Sequence, residues 1–280
     1  MNYIIYDEWE NLCELKWETG DEFPDSDRLF ITCDHISEFM RKFGHLDLSD
    51  KTIVSAASDY GPVLFENHPP YKDLYKWIPM CDFSKLGMRD CYIPARLDQT
   101  KCLGSDKYAM RSYSWTHSTM NKLPPRWFCT NNSINGPINI PFGISRDSIK
   151  FIEKNKDARK ENKVMVCFSD NTNERFQEKK RLSQIDGFNV FSQLDPEEYF
   201  YQLARHSYIR TSTGNGLDSF RILESLYVGS TPLVDLHPWS SHYQDMGVCY
   251  FDSNTLKILN QPVTNAKKLD FSYWSSLIRS

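Results

Sequence analysis

Between Gly214 and Pro232 the chain sets an arginine and a carboxylate one helical turn apart behind a pair of glycines. The stretch reads Gly214-Asn215-Gly216-Leu217-Asp218-Ser219-Phe220-Arg221-Ile222-Leu223-Glu224-Ser225-Leu226-Tyr227-Val228-Gly229-Ser230-Thr231-Pro232. Gly214, Asn215 and Gly216 would let backbone come close to a ligand. Helix N-terminal amides and the Arg221 guanidinium would meet phosphate, and Glu224 would accept ribose hydroxyls. Such a set suits a nucleotide diphosphate. The glycine pair lacks the third glycine of a dinucleotide fingerprint and the lysine of a P-loop. The plain alternative is an amphipathic helix whose Asp218, Arg221 and Glu224 form a solvated charged face.

The period supports a helix. Phe220, Leu223 and Tyr227 share a face, with Ile222 and Leu226 on its shoulder. Asp218 or Ser219 can cap the start and Gly229 can stop the helix. Residues 231–235, entered through Pro232, fit a short strand.

Upstream, the apolar run Val164-Met165-Val166-Cys167-Phe168 ends in the polar cluster Ser169-Asp170-Asn171-Thr172-Asn173. Residues 174–185 read as a helix, 189–192 as a strand, 196–206 as a helix and 208–212 as a strand. Alternating strand and helix predicts a parallel sheet covered by helices. In such sheets ligands bind beyond the C-terminal strand ends, so residues 169–175 and 214–224 could face one crevice. The first half offers strands at 28–32 and 51–57, with helical spacing through Ile36, Phe39, Met40 and Phe43 between them, a βαβ pattern. Short strands and their exits follow at 127–132 and 139–144. Composition shifts at the charged, helix-prone stretch 145–163, so the expected domains are 1–145 and 146–280. The last helix is a candidate to pack back on the first domain.

With 280 residues, 40% hydrophobic and 25% charged, the chain is long enough for two ordinary domains. A net charge of −4 without a long basic run disfavours a nucleic-acid surface. Aromatic residues make up 14%, enough for cores and for stacking on sugar faces. The eight cysteines form no Cys-x-x-Cys pair, which fits a reduced compartment and no structural zinc. The N-terminal residues show neither a basic n-region nor a long apolar run, so a soluble, cytoplasmic protein without a membrane span is expected.

Several stretches, in order over residues 25 to 275, resemble the exostosin-like family of glycosyltransferases. Phe168-Ser169-Asp170-Asn171-Thr172-Asn173-Glu174-Arg175 resembles the family's polar loop after the first donor-domain strand. Residues 214–232 resemble its donor signature, with the Arg-x-x-Glu step and the Gly-Ser-x-Pro exit. Residues 55–60 resemble a strand end that carries an acid into the cleft, and 127–131 and 140–144 resemble its aromatic-Asn and Ile-Pro-x-Gly turns. The resemblance implies an α/β fold of GT-B type, two Rossmann-like domains facing a central cleft. The chain looks most like the short soluble members of large DNA viruses that build capsid glycans, some handling xylose, which would put it in the host cytoplasm. The family's usual N-terminal membrane anchor is not expected here, since residues 1–10 show no long apolar run. It also reads Ala56-Ala57-Ser58-Asp59 where many relatives carry His and Asn before Ser-Asp.

The implied activity is metal-independent, inverting transfer of a sugar, xylose as the first choice, from a UDP-sugar to a glycan or glycoprotein hydroxyl. No obligate cofactor is implied. Positive groups must meet the leaving diphosphate, a task for Arg221 and then Arg175, with Ser169, Asn171, Thr172, Asn173 and Asp218 as further donor-site candidates. A base must take the acceptor proton. Asp59 is the first candidate, with His35, His68 and Asp73 behind it. The nearest thing to an Asp-x-Asp metal motif, Asp25-Ser26-Asp27, reads as a turn. Two alternatives stay open: a non-catalytic nucleotide-sugar or glycan binding module, and a transferase using UDP-GlcA, UDP-GlcNAc or a GDP-sugar.

Overall fold

The computed structural model describes residues 2–18, 20–33, 35–43, 46–56, 100–101, 109–110, 126–130, 137–169, 173–212, 218–235 and 238–280. The chain divides into two compact units. One lies within Trp9–Ile140, and the other joins Met1–Glu8 to Pro141–Gly214 and Asp218–Ser280.

In the first unit, β1 (Leu15–Trp17), β2 (Arg28–Ile31), β3 (Thr52–Ser55), β6 (Arg126–Cys129) and β7 (Ile138–Asn139) form a five-stranded sheet in that order. Every pairing in it is parallel. The helix α1 (Ile36–Phe43) joins β2 to β3, completing the predicted βαβ unit. β4 (Thr100–Lys101) and β5 (Ala109–Met110) form a separate antiparallel pair. Trp17, Leu29, Ile31, Ile36, Phe39, Phe43, Ile53 and Trp127 share one buried cluster. The Trp17 ring meets Phe39 and Phe43 edge-on, at 5.3 and 6.0 Å between centroids. Removing each such side chain from water contributes about 1.5–3 kcal/mol.

The second unit carries α2 (Ser148–Asn155), β8 (Glu161–Val166), α3 (Asn173–Leu182), β9 (Phe188–Val190), α4 (Pro196–Arg205) and β10 (His206–Thr211). Then come α5 (Phe220–Tyr227), β11 (Thr231–Val234), β12 (Cys249–Asp252), β13 (Lys257–Ile258) and α6 (Phe271–Arg279). Its sheet runs β13-β12-β11-β10-β8-β9, parallel except for the β12–β13 edge. The chain steps out from β8 to β9, then returns past β8 to β10. Strand order therefore reverses between β8 and β10. An α/β unit of this order is compatible with a Rossmann-like arrangement, and the reversal marks the position where such sheets open a crevice.

Local chemistry sets the helix ends. Asp195 caps α4 by accepting from the Glu198 amide at 2.9 Å, and Pro196 supplies a first residue already in helical φ. Gly229 has φ +74°, its N–H donates to the Leu226 carbonyl and that of Ser230 to the Ser225 carbonyl. This is the Schellman stop expected of a glycine at that place. β8 begins at Glu161, three residues before the apolar run that signals it. Its first residues pair through backbone with β10, which needs no apolar side chain. No helix among the described residues is long and apolar enough to cross a membrane.

Candidate functional site

The C-terminal ends of β8 and β10 flank the reversal of strand order. Of the residues singled out in sequence, Ser169, Asn173, Arg175, Asp218, Arg221 and Glu224 lie in the described part of the second unit. Asp59, His68, Asp73, Asn171, Thr172, Gly214, Asn215 and Gly216 lie outside the described residues.

Arg175 sits in the first turn of α3, just past β8, and is only 4% exposed. Its Nη2 donates to the Ser212 carbonyl at the end of β10, at 2.9 Å, and its Nη1 to Ser169 Oγ, at 3.3 Å. Its guanidinium lies 5.4 Å from the centre of the Phe168 ring. Arg175 thus straps the chain leaving β8 to the chain leaving β10. One turn later Lys179, also buried, donates to the Phe168 carbonyl at 3.1 Å. Sequence reasoning missed Lys179, although its i+4 spacing from Arg175 puts both on one face of α3. Ser169 is exposed beside them, and Asn173 opens α3.

Arg221, second residue of α5, differs from these. Among the described residues its guanidinium makes no hydrogen bond or ion pair, and its Nε is buried without a partner. Burial pushes the Cys167 thiol up, and Arg221 and Lys179 oppose that shift, so both cations lie near the end of β8. Ser219 occupies the N-cap of α5 in an extended conformation, but its hydroxyl caps no amide. The first turn of α5 therefore offers unsatisfied donors next to an unpaired guanidinium, the combination that binds phosphate or another oxyanion.

The two carboxylates of the motif turn inward, which rules out the plain alternative of a solvated charged face for Asp218 and Glu224. Asp218, 6% exposed, accepts from Tyr243 Oη at 2.5 Å, the Ser219 amide at 2.6 Å and the Phe142 amide at 3.1 Å. Burial pushes its carboxyl up to about 7, against the pull of those hydrogen bonds. Glu224, 7% exposed, accepts from Ser148 Oγ on α2 and Tyr199 Oη on α4, each at 3.0 Å. Burial raises its carboxyl as well, opposed by Tyr199, Ser148 and Arg221. Helices α2 and α4 cover the face that local spacing leaves to solvent.

Beneath the site Arg210, 1% exposed on β10, joins three elements. It donates to Glu178 on α3 at 2.7 Å, to Asp235 beyond β11 at 2.5 Å and to the Leu233 carbonyl at 3.0 Å. Nothing local in the sequence marks this network, because its members are 23 to 32 residues apart. The chain matches no protein-family model and no curated protein.

Proposed function

We propose that the protein is a glycosyltransferase that holds a nucleotide-diphosphate sugar at the reversal point of its second unit. The observation that carries this reading is the unpaired Arg221 guanidinium beside the uncapped first turn of α5. A diphosphate supplies the negative charge and acceptor oxygens that these donors lack, and its charge grows as the sugar leaves. Arg175 and Lys179 add positive potential and hold the two loops. Glu224, buried and held by Ser148 and Tyr199, anchors α5 to α2 and α4, and a ribose contact for it comes only from the likeness to exostosin-like enzymes. The likeness to exostosin-like enzymes gives the finer terms: a GT-B architecture, a UDP-sugar donor with xylose first, a glycan hydroxyl as acceptor, inversion, no obligate metal and Asp59 as base.

Calorimetry and thermal shift with UDP, GDP and a panel of UDP-sugars, without metal and then with Mn²⁺, test the reading. UDP and one UDP-sugar should raise the melting temperature by mass action. Arg221→Ala should weaken that binding by roughly tenfold or more, the size of a charged hydrogen bond. Silence towards every nucleotide would overturn it.

A further inference from the structure

Tyr199, Tyr227 and Tyr243 all lie on or beside α5, and each hands its hydroxyl to a partner. Tyr199 donates to Glu224 at 3.0 Å, Tyr227 to the Leu269 carbonyl at 3.1 Å and Tyr243 to Asp218 at 2.5 Å. Tyr6 reaches the same helix from the N-terminal segment of the second unit. Its ring lies 5.3 Å from that of Phe220, the first residue of α5, and 6.3 Å from that of Phe142. Phe142 and Phe220 close the triangle at 4.9 Å. Phe142 is buried, whereas Tyr6 and Phe220 stay partly exposed, and the Tyr6 hydroxyl makes no hydrogen bond among the described residues.

The Tyr6 ring is held in place before any ligand arrives. The Tyr6 N–H donates to the Ile144 carbonyl at 3.0 Å, and Gly143 packs so close that a Cβ on it would lie 2.5 Å from the Tyr6 nitrogen. Backbone and two neighbouring rings thus leave the side chain little rotamer freedom to lose on binding. Charge differs round the first turn of α5. Beside Tyr6, Asp7 and Glu8 share Arg146, at 3.6 and 3.1 Å, which leaves one negative charge over. About 100° further round the helix stands the unpaired Arg221. A ligand that spans this turn has its anionic end at Arg221 and a neutral, planar end at Tyr6.

We infer that Tyr6 is the platform on which the base of a nucleoside diphosphate stacks. The inference rests on the nucleotide-sugar reading and adds to it the side chain that recognises the base. A nucleobase has a π face for the ring and an edge of donors and acceptors for the free hydroxyl. Inorganic phosphates and sugar phosphates lack that face and would leave Tyr6 unused. The ring contacts make Tyr6 a binding residue for the base and give it no part in holding the diphosphate.

Isothermal titration calorimetry of the full chain with UDP, GDP and inorganic pyrophosphate tests it. At least one nucleoside diphosphate should bind roughly tenfold or more tightly than pyrophosphate, the size of one base–aromatic stack. Tyr6→Leu keeps apolar packing against Phe142 and Phe220 but removes the π face. It should abolish that gain and leave pyrophosphate binding unchanged, while Tyr6→Phe should keep most of the gain. Should Tyr6→Leu fail to fold, nuclear Overhauser contacts between the base protons and the Tyr6 ring in the wild-type complex decide instead: their presence supports the inference and their absence overturns it. Equal weakening of pyrophosphate and nucleotide by Tyr6→Leu would mark a structural role and overturn it. So would a nucleoside diphosphate that binds no tighter than pyrophosphate. In both cases pyrophosphate binding that is lost in Arg221→Ala would leave the anion site standing. Silence of the wild type towards all three ligands would overturn the nucleotide-sugar reading together with this inference.

Discussion

Arg221 and Glu224 stand one turn apart on α5 yet do not pair. The Glu224 oxygens are taken by Ser148 and Tyr199, at 3.0 Å each, and the Arg221 guanidinium has no partner among the described residues. Spacing of i and i+3 normally permits an ion pair. Here the carboxylate turns under the helix, where two hydroxyls hold it, and the guanidinium keeps its donors unpaired among the described residues.

That arrangement sets the cost of changing Glu224. Glu224→Ala should destabilise the protein by about 1–3 kcal/mol, because it strands two buried hydroxyls. Glu224→Gln keeps an acceptor for one of them and should cost less. Urea midpoints of the two variants give the comparison, and equal losses would mean that the hydrogen bonds contribute nothing.

Asp218 should make stability depend on pH near neutrality. Its carboxyl is pushed up to about 7 in the folded chain, from an ordinary value of 3.8. Between those values the folded state keeps a proton that the unfolded state has lost. Stability from this group is complete below pH 3.8 and is lost as pH rises through about 7. The full span is on the order of 4 kcal/mol. Asp218→Asn should flatten this slope between pH 5 and 8 in urea titrations. A wild-type-minus-variant difference that does not change with pH would exclude Asp218 as its source.

His206 works in the other direction. Burial lowers its imidazole below the ordinary 6.5, and its ring nitrogens contact the Gln202 carbonyl at 2.7 Å and Asn189 Nδ2 at 2.8 Å. A neutral ring donates through Nδ1 to Gln202 and accepts from Asn189 through Nε2. The unfolded chain takes up a proton first as pH falls, so this group removes stability below pH 6.5. His206→Gln should shift the acid unfolding midpoint downward, as followed by circular dichroism in a pH titration.

What the sequence shows depends on how far apart the interacting residues are. The period through Ile36, Phe39 and Phe43 finds α1 because all three side chains enter one local cluster. Gly229 finds the end of α5 because a left-handed residue is a local requirement. The same local view leaves a solvated face open as an alternative for Asp218 and Glu224. Their partners Tyr243, Phe142, Ser148 and Tyr199 come from 25 to 76 residues away, beyond any helical period. The strap from Arg175 to Ser212 spans 37 residues and exists only once β8 and β10 are neighbours. The sequence reading omits β1, β4, β5, β12 and β13 and gives the last helix no bounds. These strands are short, two to four residues each, too few to show a period.

Gly143 should tolerate no side chain. Its φ is +102°, and a Cβ there would sit 2.5 Å from the Tyr6 amide nitrogen and 2.6 Å from Tyr6 Cα. Those atoms are backbone, held by the Tyr6-to-Ile144 hydrogen bond at 3.0 Å and the Ile144-to-Ile4 bond at 2.8 Å. Gly143→Ala must push residues 4–6 away from 144 or accept a strained backbone. A loss of roughly 2 kcal/mol or more is expected in thermal or urea unfolding. Amide exchange at Tyr6 and Ile144 should quicken in the variant, and unchanged protection there would contradict the close approach.

Arg210 separates breaking a buried charge network from replacing it. Its guanidinium reaches Glu178 and Asp235, whose side chains are 10% and 32% exposed. Arg210→Met removes the cation and leaves Glu178 buried against an apolar side chain, so about 3–5 kcal/mol should be lost. Adding Glu178→Leu removes the stranded charge, and the double variant should recover most of that loss. Asp235 is exposed enough to regain water. Because Glu178 lies on α3 with Arg175, the single variant should also loosen the Arg175 strap and weaken any nucleotide response, while the double variant restores stability first. Urea unfolding of the two variants, read as a double-mutant cycle, decides between these outcomes. Strictly additive losses would mean that Arg210 and Glu178 act independently and that the network does not couple α3 to β10.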